Sequence, residues 1–191
     1  MIAPEEAARA NLYGLVARLF YAAPDAQLIS ELLRAPAIEG DALGAAWQEM
    51  IEGCRSAFPA VLEAEHTELF IGTGKAEVTP YLSHYVGRSA SENPLVALRQ
   101  QLGAWGIARR EGVPEYEDHV SGICETMRFV IAVQQRTPED QRMFFERFVY
   151  PGTAAFCGAV SASNKARFYA QVARFARAFL EVEKTAFAMV G

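Results

Sequence analysis

Glu65-His66-Thr67-Glu68-Leu69-Phe70-Ile71-Gly72, followed shortly by Pro80-Tyr81-Leu82-Ser83-His84-Tyr85, is the stretch from which the fold of this chain is read. Leu62, His66, Leu69 and Phe70 fall at i, i+4, i+7 and i+8, the spacing of one helix face, so the first half reads as the last two turns of a helix. Gly72 stands where a helix C-terminus favours a residue tolerant of positive φ. The second half has no period. From Gly72 to Glu92, roughly twenty residues carry no credible helix or strand, and a loop of that length inside a domain is usually functional or disordered. Tyr81, Leu82, Tyr85 and Val86 give it side chains to bury, which disordered linkers lack, so the functional reading is preferred.

Outward from this stretch, nearly every apolar pattern has a helical period. Pro4 suits the first position of a helix that Leu12, Leu15, Val16, Leu19 and Phe20 stripe and Pro24 stops. Asp25 caps a second, with Leu28, Ile29, Leu32 and Leu33 inward and Pro36 beyond it. A third starts near Asp41 and carries Leu43, Trp47, Met50, Ile51 and Cys54; the helix of the opening stretch follows from about Phe58. Asn93-Pro94 begins the next, striped by Leu95, Leu98, Leu102 and Trp105 and ended by Gly112-Val113-Pro114. Val120, Ile123, Cys124, Met127 and Ile131 make another inward face. Thr137 and Asp140 have capping-box spacing ahead of a helix with Phe144 and Phe148 that stops near Tyr150-Pro151. A short helix around Ala154 to Val160 precedes a long one from about Asn164, striped by Phe168, Val172, Phe175, Phe179 and Phe187. No segment alternates with period two for long enough to read as a strand. The expected fold is all-α, one globular bundle of about eight or nine helices, with residues 1–191 forming a single domain and a long functional loop at about 72–93.

A chain of 191 residues, 51% of them hydrophobic, suffices for one well-buried core and is short for two. Its formal charge of -5 opposes binding to nucleic acid, which rewards a basic field, and suits a basic partner. Cys54, Cys124 and Cys157 are odd in number and far apart, so they read as reduced core residues instead of a disulfide frame or zinc site. Met1-Ile2-Ala3-Pro4-Glu5-Glu6 has neither the basic start nor the apolar run of a secretory signal. Glu125 and Arg128 interrupt the run from Val120 to Val133, short of the roughly eighteen apolar residues of a membrane span. The expectation is a cytoplasmic protein without stable membrane insertion.

His66, His84 and His119 all lie in or beside the opening stretch and the turn Glu117-Asp118-His119. Histidine is a common metal ligand and general base, yet the i+4 neighbour of His66 is Phe70 and the cysteine nearest His119 is the isolated Cys124, so no metal site is expected. Ser83, His119 and Asp118 have the residue types of a nucleophile triad, without the Gly-x-Ser-x-Gly elbow that presents such a serine. Gly72-Thr73-Gly74-Lys75 lacks the spacing of a phosphate loop.

Glu65, Leu69-Phe70 with Gly72, and Pro80-Tyr81 with Ser83 and Tyr85 resemble the signature of the TorD/DmsD family, cytoplasmic chaperones that mature molybdenum-containing redox enzymes. Glu117-Asp118-His119, with Glu125 and Met127 on the following helical face, resembles that family's second motif. A looser likeness runs through Phe148-Val149-Tyr150-Pro151, Phe168-Tyr169, Phe179-Leu180 and Glu183, although Gly152 stands where an aromatic often follows the late proline. The resemblance implies a chaperone and not an enzyme, without a cofactor of its own, acting as a monomer or a helix-exchanged homodimer. Its implied partner is an apo-molybdoenzyme catalytic subunit, held through its twin-arginine signal peptide until cofactor insertion. The implied peptide-binding residues are Glu65, His66, Leu69, Phe70, Pro80, Tyr81, Ser83, Tyr85, Glu117, Asp118 and His119, with Glu65, Glu68, Glu117 and Asp118 as the candidate charged side. Two alternatives stand beside it: an all-α enzyme using His119, Asp118 and His66, and an assembly subunit of the nitrate-reductase delta type.

Each of these residues also has a purely structural reading. Asp118 at a helix N-terminus accepts from free amides and meets the positive end of the dipole, worth about 0.3–1 kcal/mol, and His119 ties down the loop. Leu69 and Phe70 diverge by about 100° on a regular helix, so one is expected in the core and the other against the loop or solvent, unless both are core residues that anchor the loop.

Overall fold

A computed structural model describes residues 2–72, 74–87, 93–109, 112 and 114–189, with the backbone alone at position 41. Thr73 and residues 88–92 of the expected loop, and Val113 of the expected helix stop, lie outside the described residues. The described residues form α1 (Pro4–Tyr21), α2 (Ala26–Arg34), α3 (Asp41–Arg55), α4 (Pro59–His66), α5 (Pro94–Ala104), α6 (Val120–Ala132), α7 (Pro138–Phe144), α8 (Tyr150–Ala162) and α9 (Phe168–Met189). Two π turns, Thr67–Ile71 and Phe145–Val149, prolong α4 and α7, and a 3-10 turn, Leu82–His84, interrupts the long loop. Among the described residues there is no strand, and one isolated antiparallel bridge joins Tyr81 to His119. The chain is an all-α bundle, as its periodicity predicts.

The helix starts follow the capping residues. Asp25 accepts from the Leu28 amide at 2.7 Å, Asn93 from Leu95 at 3.0 Å and Thr137 from Asp140 at 3.2 Å, each satisfying a donor the first turn leaves free. Pro4 sits in the opening turn of α1, where its missing amide costs nothing. Helix α9 is the axis of the core: Phe168, Val172, Phe175, Phe179 and Phe187 are all buried, with Trp47 of α3 5.4 Å from Phe175 and Tyr13 of α1 4.8 Å from Phe179. Each large apolar side chain removed from water contributes about 1.5–3 kcal/mol, so this one stripe holds α1, α3 and α8 together.

Some local expectations are corrected. The helix with Phe144 and Phe148 does not stop at Pro151. The Tyr150 amide reaches the Phe145 carbonyl in a π turn, and this wider turn lets Pro151 enter in the first turn of α8 without interrupting a regular ladder. Helix α5 ends at Ala104, well before Gly112, because Gly106 adopts φ 68° and closes a Schellman motif: its amide bonds to Gly103 and that of Ile107 bonds to Leu102. The long helix begins at Phe168, later than Asn164, and Leu33 of α2 is exposed instead of inward.

Candidate functional site

The two motifs, far apart in sequence, are joined edge to edge. After the first π turn Gly72 turns the chain at φ 64°, where a Cβ would lie 2.2 Å from the Lys75 carbonyl oxygen, and the Val78 amide then bonds back to the Leu69 carbonyl at 2.9 Å. The loop next pairs with the turn before α6: the Leu82 amide donates to Asp118 at 2.8 Å, and the Val120 amide donates to Pro80 at 2.9 Å. Asp118 fixes the same segment by accepting from the Ser83 hydroxyl and, at 3.3 Å, from the Ser83 amide. Leu82 is buried against α8, and a Cβ at position 152 would come within 2.7 Å of its Cβ. Gly152, the departure from the TorD/DmsD pattern, is what lets the loop lie this close.

Between the loop, the end of α4, α8 and the turn before α6 lies a cavity of about 960 Å³. His66, Phe70, Pro80, Tyr81, Tyr85 and His119 line it, which brings residues of both motifs to one space. The Tyr81 ring meets the edge of His119 at 5.5 Å, and Tyr85 is held by donation from its hydroxyl to the Thr79 carbonyl at 2.9 Å. Exposed Tyr21 and Ile71 add apolar surface at the same cavity, and Glu77 and Glu115 supply carboxylates.

The other expected residues have different tasks. The Glu65 carboxylate accepts from the amides of Arg167, Phe168 and Tyr169 at 2.8, 3.3 and 2.9 Å, capping the start of α9 from another helix. Leu69 is wholly in the core. Glu117 pairs with Arg99 at 2.9 Å; burial alone pushes its pKa up, but a backbone bond and Arg99 prevail and hold it below the usual carboxylate value. Glu68 and Glu77 share Lys165 at 3.3 and 3.5 Å. Ser83 and Asp118 line a second cavity, of about 120 Å³.

The orientation of the two motifs' side chains follows from these elements. Leu69 is in the core and Phe70, also buried, turns toward the loop and lines the cavity, so the pair divides between core and loop as their divergence on a helix implies. Phe70 then sits in an aromatic cluster, 5.0 Å from Tyr169, 5.2 Å from His66 and 5.9 Å from Phe20. The cap of α6 is His119 and not Asp118: its Nδ1 accepts from the Ser121 amide at 3.1 Å, while Asp118 faces Ser83.

Burial makes His66 and His119 poor acid-base groups. Burial lowers the pKa of His119 to about 4, although Glu115 and Asp118 act in the opposite sense, and burial likewise lowers that of His66. His66 Nε2 lies 3.5 Å from the Phe20 carbonyl. The Ser83 hydroxyl bonds directly to Asp118 and His119 spends its Nδ1 on a backbone amide, so the three do not form a proton relay. Among the described residues no group of three or more His, Cys, Asp or Glu is placed to hold a metal ion. The three cysteines are free and buried. No helix among the described residues is long and apolar enough to cross a membrane.

Sequence reading missed Phe20, Tyr21, Glu77 and Glu115 as cavity residues. Phe20 looked like any other member of the first helical stripe, and Glu77 lies in a segment without a period. Glu115 had a usable signal, since it shares the short turn Pro114-Glu115-Tyr116-Glu117 with a residue already singled out.

Over residues 39–158 the sequence matches the nitrate reductase delta subunit family. No curated protein matches it. The fold is similar to the crystal structure of a protein from Archaeoglobus fulgidus described as a redox enzyme maturation protein, with a TM-score of 0.56 and 21% identity, over 91% of this chain and 93% of that one.

Proposed function

Because the chain belongs to the nitrate reductase delta subunit family, we propose that it is a maturation chaperone for a molybdenum-cofactor oxidoreductase, acting in the cytoplasm as a single domain and without catalysis. On this reading the cavity between the two motifs takes the twin-arginine signal peptide of the apoenzyme, and the protein holds the client until its cofactor is inserted. The supporting observation is the cavity of about 960 Å³ that His66, Phe70, Pro80, Tyr81, Tyr85 and His119 wall together. Rings that present faces and edges accept an apolar peptide without demanding one hydrogen-bond geometry. The contribution of Glu65, Leu69, Ser83, Glu117 and Asp118 is indirect: they cap, pack and pin the elements from which the walls are built.

Calorimetric titration of the full chain with a synthetic twin-arginine peptide tests this. Tyr81 is half-buried and spans the two motifs, so Tyr81→Ala is expected to weaken binding by about tenfold, the order of a lost aromatic contact, with little change in melting. Unchanged affinity in that variant removes this cavity from the client site. Raising the salt is expected to weaken binding without abolishing it, since screening acts on the charged contacts alone.

A further inference from the structure

Around the cavity, most carboxylates already have partners. Glu65 serves the amides of α9, Glu68 and Glu77 serve Lys165, Glu117 serves Arg99, and Asp118 serves Ser83. Glu115 differs. It lines the cavity, yet its Oε2 is shut off from solvent and has no hydrogen-bond partner among the described residues. The guanidinium of Arg109, which is near enough, donates at 3.0 Å to the Glu115 backbone carbonyl. A carboxylate oxygen buried without a partner is costly, and rotation about the last side-chain bond, a soft torsion, turns it toward a donor that a ligand supplies in the cavity.

Its surroundings select the donor. The ring of Tyr81 and that of Tyr116, 55% exposed, lie 6.0 Å apart at an angle of 57° next to Glu115 in sequence and space. Arg99 already sits over the Tyr116 ring at 5.9 Å, so this turn accommodates a guanidinium plane. His119, whose ring feels the charge of Glu115, is kept neutral by burial at ordinary pH and does not repel an incoming cation. A planar fork that stacks on rings and bonds a carboxylate through more than one N–H fits this set better than an ammonium point charge.

We infer that Glu115 is the specificity-determining carboxylate of the cavity, receiving an arginine side chain of the bound peptide beside the Tyr81 ring. The inference rests on the reading of the cavity as a peptide site and adds the residue that tells arginine from other side chains.

The test uses the full chain and three synthetic peptides followed by fluorescence anisotropy: one with paired arginines ahead of a leucine-rich run, one with lysines and one with glutamines in their place. The native protein is expected to prefer arginine to glutamine by at least about tenfold, as a charge-assisted bond to a half-buried carboxylate gives, with lysine between. In Glu115→Gln the arginine preference falls below about threefold, the affinity for the glutamine peptide is retained, and the melting midpoint does not drop because no native bond is lost. Retention of the tenfold preference in Glu115→Gln overturns the role of Glu115 and leaves the cavity as the peptide site. Failure of the native protein to bind any of the three peptides overturns the cavity reading and this inference with it.

Discussion

The Ser83 hydroxyl donates to the Asp118 carboxylate across 35 positions of sequence, and the Ser83 amide reaches the same oxygen at 3.3 Å. Asp118 is 4% exposed, and its other oxygen is buried without a partner among the described residues. The bond therefore holds the loop to the turn before α6 and also limits the desolvation cost of the charge. Ser83→Ala removes the stronger donor and is expected to destabilise the protein by about 1–3 kcal/mol, lowering the melting midpoint by roughly 3–10 °C for a chain of this size. Asp118→Asn keeps an acceptor oxygen and is expected to lose less. An unmoved midpoint in Ser83→Ala means the loop is secured by its backbone bonds alone.

Gly152 tests the other side of the same loop. A Cβ there meets the Leu82 Cβ at 2.7 Å and the Leu82 carbonyl oxygen at 3.2 Å, and the second of these belongs to backbone that cannot swing aside. Gly152→Val is expected to cost about 1–3 kcal/mol by overpacking and to displace Leu82 from α8. Hydrogen exchange reads the displacement directly, because the Leu82 amide is bonded to Asp118 and becomes less protected if the loop lifts. Native protection in the variant contradicts the close approach.

The contrast between what was legible and what was not follows from these residues. Phe168, Val172, Phe175 and Phe179 announce α9 because burial of one face imposes the period directly on sequence. A π turn inserts one residue into that period without changing residue types, so the passage of the helix through Pro151 could not be read. Glu65, His66 and Asp118 were legible as residues that matter, but their work is set by partners distant in sequence. Glu65 reads as a surface carboxylate until α9 is seen to begin above it.

His119 makes stability depend on pH, and the sign is fixed. Its pKa in the folded chain is about 4, lowered by burial, against 6.5 when free. Between these values the unfolded chain binds a proton that the folded chain does not, so stability falls as pH drops from about 6.5 to about 4 and this contribution then levels off. The full effect is on the order of 3 kcal/mol, about 2 of it lost by pH 5. Asparagine is a good capping residue, so His119→Asn keeps an acceptor for the Ser121 amide while removing the titration. Urea unfolding at about pH 7 and about pH 5 is expected to show a smaller acid loss in the variant than in the native protein. Equal losses mean that His66 and the carboxylates carry the dependence.

Glu183 and Arg9 form the most demanding pair in the molecule. Glu183 is 2% exposed, and Arg9 grips it with Nε at 2.7 Å and Nη2 at 2.8 Å; the Tyr13 hydroxyl donates to the same carboxylate at 2.9 Å. Gln141 receives the third Arg9 nitrogen at 2.9 Å, so α1, α7 and α9 meet at one polar knot. Removing one partner strands the other: Glu183→Leu alone is expected to cost about 3–5 kcal/mol, because Arg9 keeps its desolvation penalty and loses its bidentate acceptor. The double replacement Arg9→Met with Glu183→Leu removes both charges and is expected to recover part of that loss, because apolar residues can replace a buried pair while the buried Tyr13 hydroxyl is left without its acceptor. Neither residue lines the large cavity, so peptide affinity of the folded fraction should match the native value in the single and the double variant. Denaturant melts of the two singles and the double give the coupling free energy, and singles whose losses simply add in the double show that the pair is not coupled.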